Sequence, residues 1–241
     1  MQAYPVVEEA RYRLALNGSE IAVVHCTPEA LREFTVGYLF SRGILQPCTS
    51  IGSLSICNDL GIISVSIPGV DASEFIQQKL VGSGCSAAVS EENLLYALPE
   101  TSLALSMEEL KAQAATMFRG AEKYKETGGI HCARLVMYDE GASEKTSVVF
   151  EDVGRHNALD KVIGWALLNN ADFSRCAVFT SGRIAYDMAD KVLHAGVPVL
   201  VSRSIPTSFA LELARKTELT LVGRIEKPEP LVYSGAKRIV F

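Results

Sequence analysis

Three short segments place an arginine among small or hydroxyl-bearing neighbours. They are Glu151-Asp152-Val153-Gly154-Arg155-His156-Asn157, Thr180-Ser181-Gly182-Arg183 and Val201-Ser202-Arg203-Ser204. A guanidinium is a planar fork matched to phosphate or carboxylate. Glycine lets backbone approach a ligand closely, and backbone N–H groups at a helix start attract anions. These segments are therefore equipped to bind an anion; the plainer alternative is a solvated rim with capping hydroxyls. His156 lies inside the Gly-Arg-His-Asn turn and is the stronger candidate histidine. His131 follows Thr127-Gly128-Gly129-Ile130 and could position or protonate a ligand near neutral pH, or simply bond backbone at a strand entry. His25 and His194 read as structural or surface residues. Asp152 and Asp160 could orient basic partners, and Asp160-Lys161 could equally be a helical-surface pair. Cys85 stands in the run VGSGCSAAVSEE with no apolar wall of its own. An accessible thiol becomes a nucleophile once a cation or helix start lowers its pKa; otherwise it is a chance loop cysteine.

Each arginine segment follows an apolar run and precedes a helical pattern. Strands are expected over 132–138, 147–151, 176–180, 198–201 and 219–222, and helices over about 157–168, 185–195 and 207–216. Such alternation predicts an α/β layer structure with largely parallel crossovers, whose ligands gather at the carboxyl ends of strands. Short terminal edge strands are expected at 231–232 and 238–240. In the first half, Tyr12–Leu16 and Ile21–Val24 flank Asn17-Gly18 as a hairpin. Thr27-Pro28 should open a helix that Gly43 ends. Strands are expected at 51–56 and 62–67, with a further helix over 71–80. Ser106, with Glu109 three residues on, predicts a capping box and one helix to about Tyr124.

The 241 residues hold 48% hydrophobic types and 21% charged types, which excludes disorder over most of the chain. The net charge of -5 argues against broad nucleic-acid binding. Residues 1–126 carry 9 basic and 15 acidic side chains, whereas residues 127–241 carry 14 and 13, so an anion site fits the second half better. The six cysteines at 26, 48, 57, 85, 132 and 176 include no CxxC and no ligand-spaced cluster, so no structural metal is expected. With no secretory pattern at the N-terminus, they read as reduced thiols of a cytoplasmic protein. All but Cys85 are expected to be structural. No segment predicts a membrane span, and no P-loop or strand-linked GxGxxG occurs.

The run Asp152-Val153-Gly154-Arg155-His156-Asn157-Ala158-Leu159-Asp160-Lys161 resembles the most specific motif of the FdhD/NarQ family, the formate dehydrogenase accessory sulfurtransferases. Val36-Gly37-Tyr38-Leu39-Phe40, Gly43-Ile44, Thr127–His131, Thr180–Arg183, Leu200–Ser204, Pro206-Thr207-Ser208 and Val232–Gly235 support it in order, from roughly Asn17 to Phe241. The resemblance implies a larger domain over 101–241 built as a cytidine deaminase-like three-layer α/β/α sandwich, without that fold's zinc. A smaller N-terminal α/β domain over 1–100 would include the Cys85 loop. It implies a carrier that takes persulfide sulfur from a cysteine desulfurase and passes it to the molybdenum bis-guanine dinucleotide cofactor, bound transiently, for formate dehydrogenase. A cytoplasmic homodimer is implied, with no nucleic-acid or membrane partner. The sulfur carrier would be Cys85. The cofactor would lie against His131, Gly154, Arg155, His156, Asn157, Ser181, Gly182, Arg183, Ser202 and Arg203. The family's loop usually has a second cysteine three residues on, and here that position is Ala88. The alternative is a molybdenum-cofactor or guanine-nucleotide chaperone that transfers no sulfur.

Overall fold

The computed structural model describes residues 6–46, 49–76, 98–138 and 145–240. The expectations for Cys48, Cys85, Ala88, the end of the 71–80 helix and the 139–142 turn lie outside the described residues.

The first half forms the expected hairpin, β1 (Ala10–Leu16) and β2 (Ser19–Cys26), around Asn17 and Gly18 with positive φ. Strands β3 (Ser53–Cys57) and β4 (Ile62–Ser66) complete a four-stranded sheet in the order β2-β1-β4-β3. Between β2 and β3, α1 spans Leu31–Phe40. Its start differs from the expected Thr27-Pro28 because Thr27 is already engaged. The Thr27 hydroxyl accepts from Val153 N at 3.2 Å, and its own N–H donates to Asp152 Oδ2 at 3.2 Å. Ala30 adopts φ 51 at the helix start. A short α2 covers Ser73–Ile76.

A short strand, β5 (Leu105–Ser106), leads into α3 (Met107–Gly120). The Ser106 hydroxyl accepts from Glu109 N at 3.1 Å, but half of the capping box is missing. The Glu109 carboxylate turns outward to Gln113, Tyr138 and Lys145 instead. The long helix expected to Tyr124 breaks at buried Ala121, and α4 (Glu122–Thr127) starts afresh. The reason is tertiary: the Glu151 carboxylate accepts from the Lys123 and Tyr124 N–H groups at 3.2 and 2.6 Å.

The second half comprises β6 (His131–Met137), β7 (Ser147–Asp152), α5 (Arg155–Leu168), β8 (Cys176–Thr180), α6 (Tyr186–His194), β9 (Val199–Ser202), α7 (Ser208–Lys216), β10 (Thr220–Gly223) and β11 (Leu231–Ser234). The six strands pair in the order β11-β10-β9-β8-β6-β7. The sheet is mixed: β8, β9 and β10 pair in parallel, while β6 runs against both β7 and β8, and β11 runs against β10. A short β12 (Ile239–Val240) pairs with β5 rather than extending this sheet.

Side-chain alternation along the strands covers both faces of the sheet. On β8, Cys176 and Val178 join a core with α5, α6 and α7. Ala177 and Phe179 pack with Leu110, Ala114 and Met117 of α3. The first core continues through α1 to Tyr12, Leu14 and Leu16, so both sheets share it. Helix α1 lies directly on α5. A Cβ at Gly37 would fall 1.9 Å from Asp160 O, and one at Gly164 would fall 1.9 Å from Glu33 O, so two glycines permit the close crossing. Among the described residues, no helix is long and apolar enough to cross a membrane.

Candidate functional site

The reversed β6 puts four chain segments on one sheet edge. The carboxyl ends of β7, β8 and β9 meet the start of β6, with His131 opposite Asp152 and Thr180 opposite Ser202. The N-terminus of the 14-residue α5 opens at the same edge, with Gly154 as its cap and Arg155 as its first residue.

Asp152 is the frame of this edge. Its carboxylate has no exposure and contacts the Lys161 ammonium at 2.7 Å. It also accepts from Gly154 N at 3.0 Å, Asn157 Nδ2 at 2.9 Å and Thr27 N at 3.2 Å. Lys161 Nζ donates further to the carbonyls of Thr27 and Glu151. Such saturation is what a buried charge pair needs. A second buried pair joins Lys191 to Asp160 at 2.5 Å, and the Ser41 hydroxyl donates to Asp160 Oδ1 at 2.7 Å. Asp160-Lys161 is thus no surface pair: each residue is buried and reaches a different partner. The reading of Asp152 and Asp160 as holders of basic partners is the one the geometry bears out.

Over this frame lies a pocket of about 310 Å³ that His131, Gly154, Arg155, His156 and Asn157 help to line. His131 Nδ1 is 3.3 Å from Ser181 Oγ, which also accepts from Cys132 N at 3.0 Å. Burial, then the nearby Arg155 and His156 charges, push the His131 pKa down, which favours the neutral ring. The Arg155 side chain crosses Gly182, where an added Cβ would stand 2.9 Å from Arg155 Cβ and Cδ. Arg155 Nε is buried and has no hydrogen-bond partner among the described residues. His156 Nε2 stands 2.8 Å from Asp187 Oδ2. A side chain at Gly154 would press on the Asn157 amide at 3.0 Å, and that amide also donates to His25 O at 2.8 Å.

The other predicted residues divide. Arg183 is exposed beside Gly182. Ser202 is buried, donating to Gly182 O at 2.7 Å and accepting from Ser204 N at 2.8 Å, so it pins the β8 and β9 ends together. Arg203 does not reach the pocket: its Nε pairs with Glu226 at 2.5 Å, and its guanidinium meets the Tyr124 hydroxyl and stands 5.8 Å from the Phe118 ring. Cys132 and Cys26 are fully buried, and burial pushes both thiols up to about 12. Cys176 is buried too, whereas Cys57 is exposed, contrary to its expected structural place, because it closes an edge strand. No group of three or more His, Cys, Asp or Glu residues suited to a metal occurs among the described residues.

The model of the FdhD/NarQ family matches residues 7–240. The chain belongs to that family. It is 33% identical over 235 residues to the sulfur carrier protein FdhD of Methanothermobacter thermautotrophicus, covering 98% of this chain and 91% of that protein. The sulfur carrier protein FdhD of Streptomyces coelicolor is 32% identical over 97% of this chain and 88% of its own length. A crystal structure of a protein from Desulfotalea psychrophila, proposed to be a formate dehydrogenase accessory protein, superposes with a TM-score of 0.77 at 29% identity. That match covers 98% of this chain and 90% of the other.

Within this family frame, the sequence reading missed His25, Tyr38, Arg42 and Lys191, all of which line the pocket. His25 is the penultimate residue of β2 and lines the pocket rather than serving only the hairpin. Arg42 lies 3.5 Å from the centroid of the Tyr38 ring. The four-residue spacing of Tyr38 and Arg42 on the α1 side was the available signal, but only the α1–α5 crossing brings it to this edge. His194, in contrast, packs against Phe40 at 5.1 Å and is structural, as expected.

Proposed function

We propose that this chain carries sulfur in formate dehydrogenase maturation. It accepts a persulfide from a cysteine desulfurase and delivers the outer sulfur to the molybdenum bis-guanine dinucleotide cofactor, which is its substrate. The observation that carries the reading is Arg155. Its guanidinium lies at the mouth of a helix start, with a buried Nε that has no partner among the described residues. A buried donor without an acceptor costs free energy, and the phosphate oxygens of a dinucleotide would supply acceptors. The names of the similar proteins point the same way.

In this reading Arg155 and Arg183 take the phosphates. His131, His156 and Asn157 line the substrate, while Gly154, Ser181, Gly182 and Ser202 shape the edge that presents them. Arg203 stands beyond the pocket and contributes only at the periphery. The Cys85 thiolate attacks the outer sulfur of the desulfurase persulfide; the new S–S bond forms as the old one breaks, and the desulfurase thiolate leaves. One nucleophilic sulfur suffices for that step, so Ala88 in place of a second cysteine is compatible with it. The reading includes a cytoplasmic homodimer and the division at about residue 100. It also keeps the cytidine deaminase-like sandwich, which helices on both faces of the six-stranded sheet support.

Mass spectrometry after incubation with a cysteine desulfurase and cysteine tests it. One added sulfur on Cys85, absent in Cys85→Ala, is expected. Ala88 favours one rival, a cofactor or guanine-nucleotide chaperone without sulfur transfer. Nucleotide binding with no persulfide on Cys85 would establish that rival and remove the carrier role.

A further inference from the structure

Among the described residues, Arg155 and Arg42 are the two arginines that line the pocket. Arg42 lies two residues beyond the end of α1, and the backbone on either side of it is pinned. Ser41 N donates to Gly37 O at 2.9 Å, the Ser41 hydroxyl donates to Asp160 Oδ1 at 2.7 Å, and Gly43 N donates to Phe40 O at 2.8 Å. The close α1–α5 crossing thus fixes this seat against the helix that begins with Arg155. The guanidinium carbon of Arg42 lies 3.5 Å from the Tyr38 ring centroid. At that distance the guanidinium plane lies on the ring, which occupies one face and leaves the N–H groups at the edge for an acceptor. One of them donates to Tyr38 O, at a long 3.4 Å.

The charges around Arg42 leave it unmatched. Two carboxylates line the pocket. Asp160 is taken by Lys191 at 2.5 Å, and the exposed Glu9 stands 3.9 Å from His25 Nδ1. Among the described residues, neither Arg42 nor Arg155 has a carboxylate in ion-pair contact. The Arg42 charge bears instead on another cation: burial pushes the Lys191 pKa down, Asp160 opposes this, and Arg42 adds to the fall. Unmatched cations in one pocket repel, and an anion that reaches both relieves them together. A volume of about 310 Å³ has room for two phosphoryl groups.

We infer that Arg42 is a second anion-binding residue of this site, which takes one phosphoryl group of a pyrophosphate-class anion whose other end lies at Arg155. The inference rests on the anion reading of the pocket given above and deepens it. The two halves of the chain grip one diphosphate, from the end of α1 and the start of α5. An orthophosphate meets one guanidinium at a time, whereas a diphosphate meets both, so Arg42 sets a preference for the longer anion.

Calorimetry on the full chain with inorganic pyrophosphate and with orthophosphate tests it. The wild type is expected to favour pyrophosphate by about tenfold or more. Arg42→Met keeps an apolar stem against Tyr38 but removes the charge. It is expected to weaken pyrophosphate about tenfold and orthophosphate by less than about threefold. A merely structural role would weaken both anions alike. An unchanged pyrophosphate affinity, or an orthophosphate loss as large as the pyrophosphate loss, would overturn the inference. Should Arg42→Met not fold, Arg42→Lys decides in its place, because an ammonium keeps the charge without the planar fork. Pyrophosphate weakened about threefold with orthophosphate unchanged then supports the inference, and no difference between the anions overturns it. Failure of the wild type to bind either anion removes the anion reading and this inference together. Pyrophosphate binding lost in Arg155→Ala but untouched in Arg42→Met leaves that reading standing and removes Arg42 alone.

Discussion

Arg155 and Arg203 both follow the last residues of a strand in the same sheet, at the same edge, and both have small neighbours in sequence. Their surroundings are opposite. Arg155 rises from a buried frame, crosses Gly182 and lines a pocket with an Nε that has no hydrogen-bond partner among the described residues. Arg203 is half exposed and satisfied by Glu226 and Tyr124. What differs is the support. Behind Arg155 lie a zero-exposure ion pair, a helix start and a second helix held at glycine distance. Behind Arg203 lies a surface carboxylate. An arginine whose charge is already met is a brace; one left unmet on a rigid frame is a binding group.

That contrast can be broken in several ways. The largest effect is expected from Lys161→Met, which leaves the Asp152 charge buried and unpaired. Denaturant unfolding should show a loss of about 3–5 kcal/mol, whereas Glu226→Gln at the other end should cost under about 1 kcal/mol. Equal losses would deny the difference in support. Gly37→Ala should cost about 3 kcal/mol or abolish folding, since the added carbon meets the α5 backbone; an unchanged transition would mean that the helices can part freely.

Asp190 sharpens the comparison through pH. It is buried on α6 and has an oxygen without a hydrogen-bond partner among the described residues, and burial followed by the Asp187 charge raises its pKa to about 6. Its folded pKa exceeds its unfolded value, so native stability falls as pH rises through that range and the loss is complete above it. Asp190→Asn should therefore be neutral near pH 4 and more stable than the wild type by on the order of 2 kcal/mol at pH 7.5. Melting curves across that range read the sign directly, and a destabilised variant at pH 7.5 would refute the assignment. The smallest effect separates the two arginines themselves. Arg155→Ala should weaken pyrophosphate binding about 10- to 100-fold by calorimetry, and Arg203→Ala by less than about twofold.

The strand–helix order of the second half was legible because each element is buried by a regular pattern. The β8 strand matches its expected limits, since a continuous apolar run between a turn and a hydroxyl pair allows little else. Helix ends were less legible where a distant residue intervened. Thr27 was read as a cap because its type suits one, but Asp152 and Val153 claim it from across the molecule. The break at Ala121 depends on Glu151, 30 residues away in sequence. The crossovers through α5, α6 and α7 join parallel strands as expected, but the reversed β6 between β7 and β8 was not legible, because alternation reports which face a residue takes and not which strand becomes its neighbour.

For the site, local sequence determined the chemistry on offer: a guanidinium, an imidazole and glycine at a helix start, in one run from Asp152 to Lys161. It also placed that run between a strand and a helix. Only the tertiary structure decided which arginine lacks an ion-pair partner among the described residues, which carboxylate stands beside His156, and that His25, Tyr38 and Arg42 of the first half join the pocket lining. The physical reason is range. Periodicity, caps and turn residues act within a few positions, whereas the charge balance of a site is set by every element packed against it.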